Sequence, residues 1–246
     1  MPRKLRPAGI IAAPLVIALA GCAGEPTIQT GDDAQTIMGT LNRVDNSRVA
    51  MAYVDPVTDF SRYETALVMT LDLDNVEIIQ PTGSSTSMVN RFNREWALDD
   101  NGRSQLQSAF AEIMARELTR DGAFTMAESG GDDVIAIEAM ITAIAPTAPQ
   151  DSPASRSAGR TRVYTENAGS MSIAIAFADG DSGEVLAIIK DARSAPSGTW
   201  GVNNSVTNMS EVRRLFSSWA SQVRDGLLGL RERSANMNAG MSEEAE

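Results

Sequence analysis

The stretch Val134–Ala145 is apolar on both of its faces, and few folds accommodate such a segment. Ile135, Ile137, Ala139, Ile141, Ala143 and Ala145 fall on one side at the two-residue period of a strand. Val134, Ala136, Met140 and Ile144 fall on the other, and only Glu138 and Thr142 are polar. A strand of this kind needs cover on both faces, which places it at the centre of a sheet. Pro146 has no amide hydrogen to continue the ladder and ends it.

Other elements arrange themselves around this strand. Ala50–Val54 is a short strand stopped by Asp55-Pro56. Thr65–Gln80 alternates through Leu67, Met69, Leu71 and Leu73, and Asp72-Leu73-Asp74-Asn75 marks a bend within it. Residues 81–98 form a polar loop carrying Phe92 and Trp96, which are expected to be pinned to the body. Asp99 or Asp100 caps a helix running to about Asp121. Its stripe is Leu106, Phe110, Ile113, Met114 and Leu118, with Gly122 at the C-cap. Phe124–Met126 begins another strand. After a Pro- and Ser-rich excursion over 146–162, Met171, Ile173, Ile175 and Phe177 alternate toward an Asp179-Gly180-Asp181-Ser182-Gly183 turn. Val185, Leu186, Ile188 and Ile189 complete a hairpin. A Gly/Ser/Asn loop at 193–207 holds Trp200, and then Asn208 and Glu211 have capping-box spacing for a last helix. Its apolar face is Val212, Leu215, Phe216, Trp219, Val223, Leu227 and Leu230. Gly226 on that face suggests close approach to the sheet.

Two amphipathic helices against one sheet define an α+β, two-layer sandwich. The expected sheet has four to six strands and is largely antiparallel. The expected organisation is a leader over 1–21, a tether over 22–48, one domain over 49–232 and an acidic disordered tail over 233–246, closing Glu243-Glu244-Ala245-Glu246.

Composition closes several functional classes. The chain has no histidine and one cysteine. Zinc sites and Ser-His-Asp or Cys-His nucleophile systems draw on those residues. There is no P-loop, no Gly-x-Gly-x-x-Gly after a strand and no Gly-x-Ser-x-Gly elbow. No catalytic residue and no cofactor is expected. Residues 1–21 hold three of the 21 basic side chains and none of the 32 acidic ones, so the remainder carries a net charge of −14. That field repels phosphate backbones and argues against nucleic acid. Lys190 is the only lysine after residue 21, a bias for which the sequence alone gives no reason. The one candidate cation site is Asp179, Asp181 and Glu184, three carboxylates in six residues. Its spacing departs from the EF-hand pattern, and Asp and Gly are also what a tight hairpin requires, so the turn is the preferred reading.

The amino terminus supplies an address. Arg3, Lys4 and Arg6 precede an apolar run from Ala8 to Ala20, and Leu19-Ala20-Gly21-Cys22 follows. The run is 13 residues and contains Pro14, short of the roughly 20 that span a bilayer. This region resembles a bacterial lipoprotein signal peptide with a lipobox. The resemblance implies cleavage before Cys22, diacylation of its sulfur and acylation of the new amino terminus. Each buried methylene contributes about 0.8 kcal/mol, and two or more chains anchor stably. Ala23 differs from the Asp that retains such proteins in the inner membrane of enteric bacteria. The expected location is therefore the outer membrane, facing the periplasm.

Three stretches resemble a family of uncharacterised bacterial lipoproteins, domain of unknown function 3313. They are Tyr53-Val54-Asp55-Pro56 with Asp59-Phe60-Ser61-Arg62-Tyr63; Ala168-Gly169 with the hairpin Asp179 to Glu184-Val185-Leu186-Ala187; and Arg213-Arg214-Leu215-Phe216-Ser217-Ser218-Trp219-Ala220. The resemblance implies no activity. The expected function is a non-enzymatic, membrane-anchored envelope lipoprotein that binds a protein partner, at an uncovered sheet face or edge. The alternative is a lipoprotein that binds a small ligand or cation.

Overall fold

The computed structural model describes residues 24–80, 96–146, 164–165, 169–195, 201–202 and 205–243. The leader, Cys22, the stretch carrying Phe92, most of the 146–162 excursion and Trp200 lie outside the described residues. In chain order the strands are β1 (Thr27–Ile28), β2 (Thr36–Ile37), β3 (Leu41–Asp45), β4 (Met51–Val54), β5 (Thr65–Val68) and β6 (Glu77–Ile78). Helix α1 (Asp100–Thr119) follows, then β7 (Thr125–Met126), β8 (Val134–Pro146), β9 (Tyr164–Thr165), β10 (Gly169–Asp179), β11 (Val185–Ser194) and β12 (Gly201–Val202), and finally helix α2 (Ser205–Glu243).

Ten strands form one mixed sheet in the order β1-β3-β4-β11-β10-β8-β5-β7, with β2 beside β3 and β6 beside β8. The fold is α+β, but the expectation of four to six largely antiparallel strands is corrected. Four of the strands are two residues long and too short to show a period. The parallel pairs follow from α1. It carries the chain from β5 and β6 back to β8, and both pair with β8 in parallel. The polar Asp72–Asn75 cluster is the expected interruption, and a single bridge, Asp72 to Met140, keeps the chain on β8 between β5 and β6.

β8 is central, flanked by β10 and by β5 with β6. Ile135, Ile137, Ala139 and Ile141 face the core with Met171, Ile173, Ile175 and Phe177 of β10. The pattern then inverts, because the register shifts between Ser172 and Ile173 and leaves Thr142 unpaired. This bulge brings Ile144 into the core opposite Met171 and turns Ala143 and Ala145 to the other face, a correction to the strict alternation.

Both helices lay their buried apolar residues on that same core face. The expected α1 stripe is buried throughout, and Asp99 accepts the Gly102 amide at 2.8 Å as N-cap. Trp96 packs on the core, held by Gln80, which bonds both its amide and its carbonyl at 2.8 Å. Phe110 of α1 meets Phe216 of α2 edge-on at 5.5 Å. Trp219 donates its indole N–H to buried Asp191 of β11 at 2.8 Å. The Asp191 carboxylate also accepts the Ala50 amide and the Arg193 guanidinium, and so ties β4, β11 and α2 together.

Three boundaries differ from the sequence reading. The tether expected over 22–48 contains β1, β2 and β3, hydrogen-bonded into the sheet. The helix expected from Asn208 starts at Ser205, and the tail expected from 233 is helical to Glu243, with Ser234 buried. Gly226 is exposed, and a Cβ there would touch nothing. The buried stripe runs through Leu215, Phe216, Trp219, Ala220, Val223 and Leu227. Gly226 is turned about 20° further out than Trp219 and, without a side chain, packs against nothing.

Candidate functional site

The upper end of the sheet, where β10 turns into β11, collects the polar chemistry of the described residues. Between β4 and β5 the chain makes two tight turns. Asp55 accepts the Val57 amide at 3.1 Å and the Thr58 hydroxyl at 2.7 Å. Asp59 then caps the 3₁₀ turn Phe60–Arg62, accepting the amide and hydroxyl of Ser61 at 2.9 and 2.6 Å. The distal half of α2 grips this loop. Ser234 Oγ accepts the Phe60 amide at 3.0 Å, and Asn238 donates to Asp59 at 3.0 Å. Hydrogen bonds from the Ser61 hydroxyl, the Ser61 amide and Asn238 hold the Asp59 carboxyl below its ordinary range.

Asp179, the last residue of β10, is the hub. Its Oδ1 accepts the Ser182 amide and hydroxyl at 2.8 and 2.9 Å and the Asp181 amide at 3.1 Å. Its Oδ2 accepts the Tyr63 hydroxyl at 2.7 Å and Arg62 at 3.3 Å. Burial alone would raise this carboxyl. The bonds from Ser182, Tyr63 and Asp181 outweigh it and bring the pKa down to about 2. Burial, then the bond to Asp179 and its charge, push the Tyr63 phenol well above 10. Arg62 lies over the Tyr63 ring at 5.2 Å and forks onto the Asp132 carbonyl at 3.0 and 2.7 Å.

This geometry decides how the candidate trio is used. Asp179 spends both oxygens on protein donors, while Asp181 and Glu184 are exposed on the turn. Among the described residues no three Asp, Glu, His or Cys side chains come together as a metal site. The residues instead line an open polar cleft of about 310 Å³ with Asp59, Arg62 and Tyr63.

Beside the cleft, across the Asp55–Phe60 loop, lies a hollow of about 150 Å³ lined by Ile28, Pro56, Val57, Leu230 and Met237. Val57 is 86% exposed and Met237 51%. Polar Asp59, Arg233 and Asn238 border it. Sequence reasoning missed this patch. Its only local signal is an apolar residue after Asp55-Pro56 in an otherwise polar loop. The sheet face away from the helices is the other open surface. It presents half-buried Ala143, Ala145, Ala174 and Ala176, with exposed Met51, Met69 and Lys190.

A family model described as a protein of unknown function, DUF3313, matches residues 40–223. The chain belongs to the DUF3313 family. All three stretches quoted for the resemblance fall in the matched span, and with them the Asp59–Tyr63 turn and the Asp179 hub. Ser234, Met237 and Asn238 lie beyond it. No curated protein matches the chain. Among solved structures it is similar to the PelC dodecamer from Paraburkholderia phytofirmans at 11% identity and TM-score 0.33, covering 65% of this chain and 89% of that one. A DUF330-family protein from Xanthomonas campestris aligns at 7% identity and TM-score 0.36, covering 77% and 95%. A minor lipoprotein from Acinetobacter baumannii aligns at 13% identity and TM-score 0.27, covering 71% and 95%. Likeness at this level carries no function across. Among the described residues no helix is long and apolar enough to cross a membrane.

Proposed function

We propose that the protein is a non-enzymatic lipoprotein of the outer membrane, anchored through acyl chains on Cys22 and facing the periplasm. Its domain binds a protein partner at the upper end of the sheet. The observation that carries this reading is the fixed display of Val57, 86% exposed on a turn that both oxygens of Asp55 lock. An apolar side chain held rigidly next to Met237, inside a polar border, has the composition of an interface centre with its rim. Rigidity matters because little side-chain or loop entropy is then lost on binding.

The chemistry of the neighbouring cleft supports a non-catalytic role. A general acid or base works best with a pKa near the working pH. Asp179 is held at about 2 and Tyr63 well above 10, so neither exchanges a proton near neutrality. The ligand-binding alternative has less support. The hollow, at about 150 Å³, is below the roughly 300–1,000 Å³ of small-molecule sites. The cleft, at about 310 Å³, is at the foot of that range, is open and polar where such sites are mostly apolar, and has both Asp179 oxygens already engaged.

The test places a photo-crosslinking amino acid at Val57 in the full chain in native membranes, followed by mass spectrometry. A discrete protein adduct that disappears in Met237→Asp is expected. No adduct at position 57, from protein with a normal melting transition, would sink the partner reading.

A further inference from the structure

The segment after the lipobox is not a free spacer. Asn46 donates to the Glu25 carbonyl at 3.4 Å. Thr27 and Ile28 pair with Asp45 and Val44. Gln29 donates its amide to Arg43 at 2.8 Å and its side chain to Asp45 at 2.9 Å. Asn42 reaches the Gln29 carbonyl at 2.8 Å. The body therefore begins at residue 25. An extended chain covers at most about 3.6 Å per residue, so Cys22 lies within roughly 11 Å of that point.

The register fixes which part of the domain this is. β3 ends at Asp45 and β4 starts at Met51, opposite Lys190 of β11, while Val54 lies opposite Ala187. The β3–β4 turn is thus at the lower end, away from the Asp179 turn. Pro146 of β8 and Gly169 of β10 pair at this same end. A lipid on Cys22 sits at the bilayer surface. With three residues of slack, the lower end, where Asn46 holds Glu25, is the part of the described domain brought nearest to it.

Resting on the lipoprotein reading of Cys22, we infer that the lower end of the sheet docks against the phospholipid surface, with the strands standing away from the bilayer. The surface offered there suits headgroups. Arg48 is exposed on the turn for phosphate oxygens, and Met51 and Ile79 are exposed apolar side chains at the same end. The orientation turns Val57 and the cleft away from the membrane: β4 rises about 10 Å from Met51 to Val54 before the Asp55–Phe60 loop, and β11 spans about 20 Å from Asp191 back to Val185 beside the Asp179 turn.

The experiment uses the full lipidated chain, in which Cys22 is the only cysteine, so that an introduced thiol is the only free one. Ala50→Cys places a fluorophore at the lower end and Asp181→Cys at the upper end. Both positions are exposed, and the stretch of β11 between their levels spans about 20 Å. Each protein is reconstituted into phosphatidylethanolamine–phosphatidylglycerol vesicles containing a nitroxide-headgroup lipid, after intact-mass analysis of Cys22. The expected result is strong quenching at position 50 and none at 181. An acylated Cys22 with equal quenching at the two positions, or none at 50, overturns the docking inference alone. An unmodified Cys22 overturns the lipoprotein reading and this inference with it.

Discussion

Truncating Trp219 separates packing from hydrogen bonding in the joint between α2 and the sheet. The indole is 1% exposed. It packs on Phe216 at 6.3 Å, and Phe216 meets Phe110 of α1, so the ring supports both helices. Its N–H is one of two side-chain donors on Asp191 Oδ2, with Arg193 at 2.5 Å. Trp219→Ala loses the ring and leaves a cavity, a change that costs about 3–5 kcal/mol. Trp219→Phe keeps most of the apolar volume and removes the donor. A hydrogen bond to a charged group contributes about 1.5–3 kcal/mol, and the lower figure applies because Arg193 still serves the same oxygen. Against a total stability of about 5–15 kcal/mol, both changes are measurable. Urea unfolding of the chain from Gly24 onward should show the alanine midpoint falling by roughly 1–2 M and the phenylalanine midpoint by less than half of that. An unchanged midpoint in Trp219→Ala would refute the docked helix. Equal losses in the two variants would show that the Asp191 bond, and not burial, holds α2.

Two further outcomes follow from the upper end and from α2. Asp179 drops from an ordinary 3.8 to about 2 on folding, so as pH falls the unfolded chain takes its proton first. The stability from this carboxylate is complete above about pH 4, amounts to roughly 2 kcal/mol, and is lost as pH falls through 2; urea midpoints across pH 2–5 should show this slope in the native protein and lose it in Asp179→Asn. Gly226→Ala should raise the unfolding free energy by about 1 kcal/mol and the urea midpoint with it, because the new methyl meets nothing and the helix loses a glycine, whereas a fall would mean that the position is packed after all.

What the sequence made legible was whatever repeats at the period of its element. The α1 stripe, the β10–β11 hairpin and the core side of β8 as far as Ile141 all show in their spacing. Failures fall where one residue or a distant partner decides. One unpaired residue, Thr142, exchanges the faces of Ile144 and Ala143, and nothing local marks it. β1 and β2 are two residues long, and their stability comes from β3 and from Gln29, Asn42 and Asp45 side chains, so the region reads as a polar tether. Ser234 and Asn238 look like solvated tail because they are polar, yet one is buried on the Phe60 amide and the other holds Asp59. The cation trio was visible as composition only. Tyr63, 116 residues before Asp179, claims an oxygen of that carboxylate, and no spacing rule reaches across that distance.

The arginine bias also becomes intelligible in three dimensions. Arg193 uses three nitrogens on three different partners, Asp191, Ser218 and Gln222, and so joins β11 to α2. Arg62 bonds a carbonyl through two nitrogens and the Asp179 carboxylate as well, while stacking on Tyr63. Arg116 and Arg120 approach the buried Glu117 from either side, and Arg116 also reaches Ser217 of α2. Arg231 donates to the Ala123 carbonyl at 2.9 Å and covers the Phe124 ring. Each arrangement needs a planar fork with several fixed donors, and an ammonium is a single point charge on a flexible stem. Lys190 makes the contrast, since it stands exposed on the sheet face that no helix covers. In a chain with so large an excess of carboxylates, the cations are few and most of those described join separate elements. Lysine at such a position would keep the charge and lose the joint.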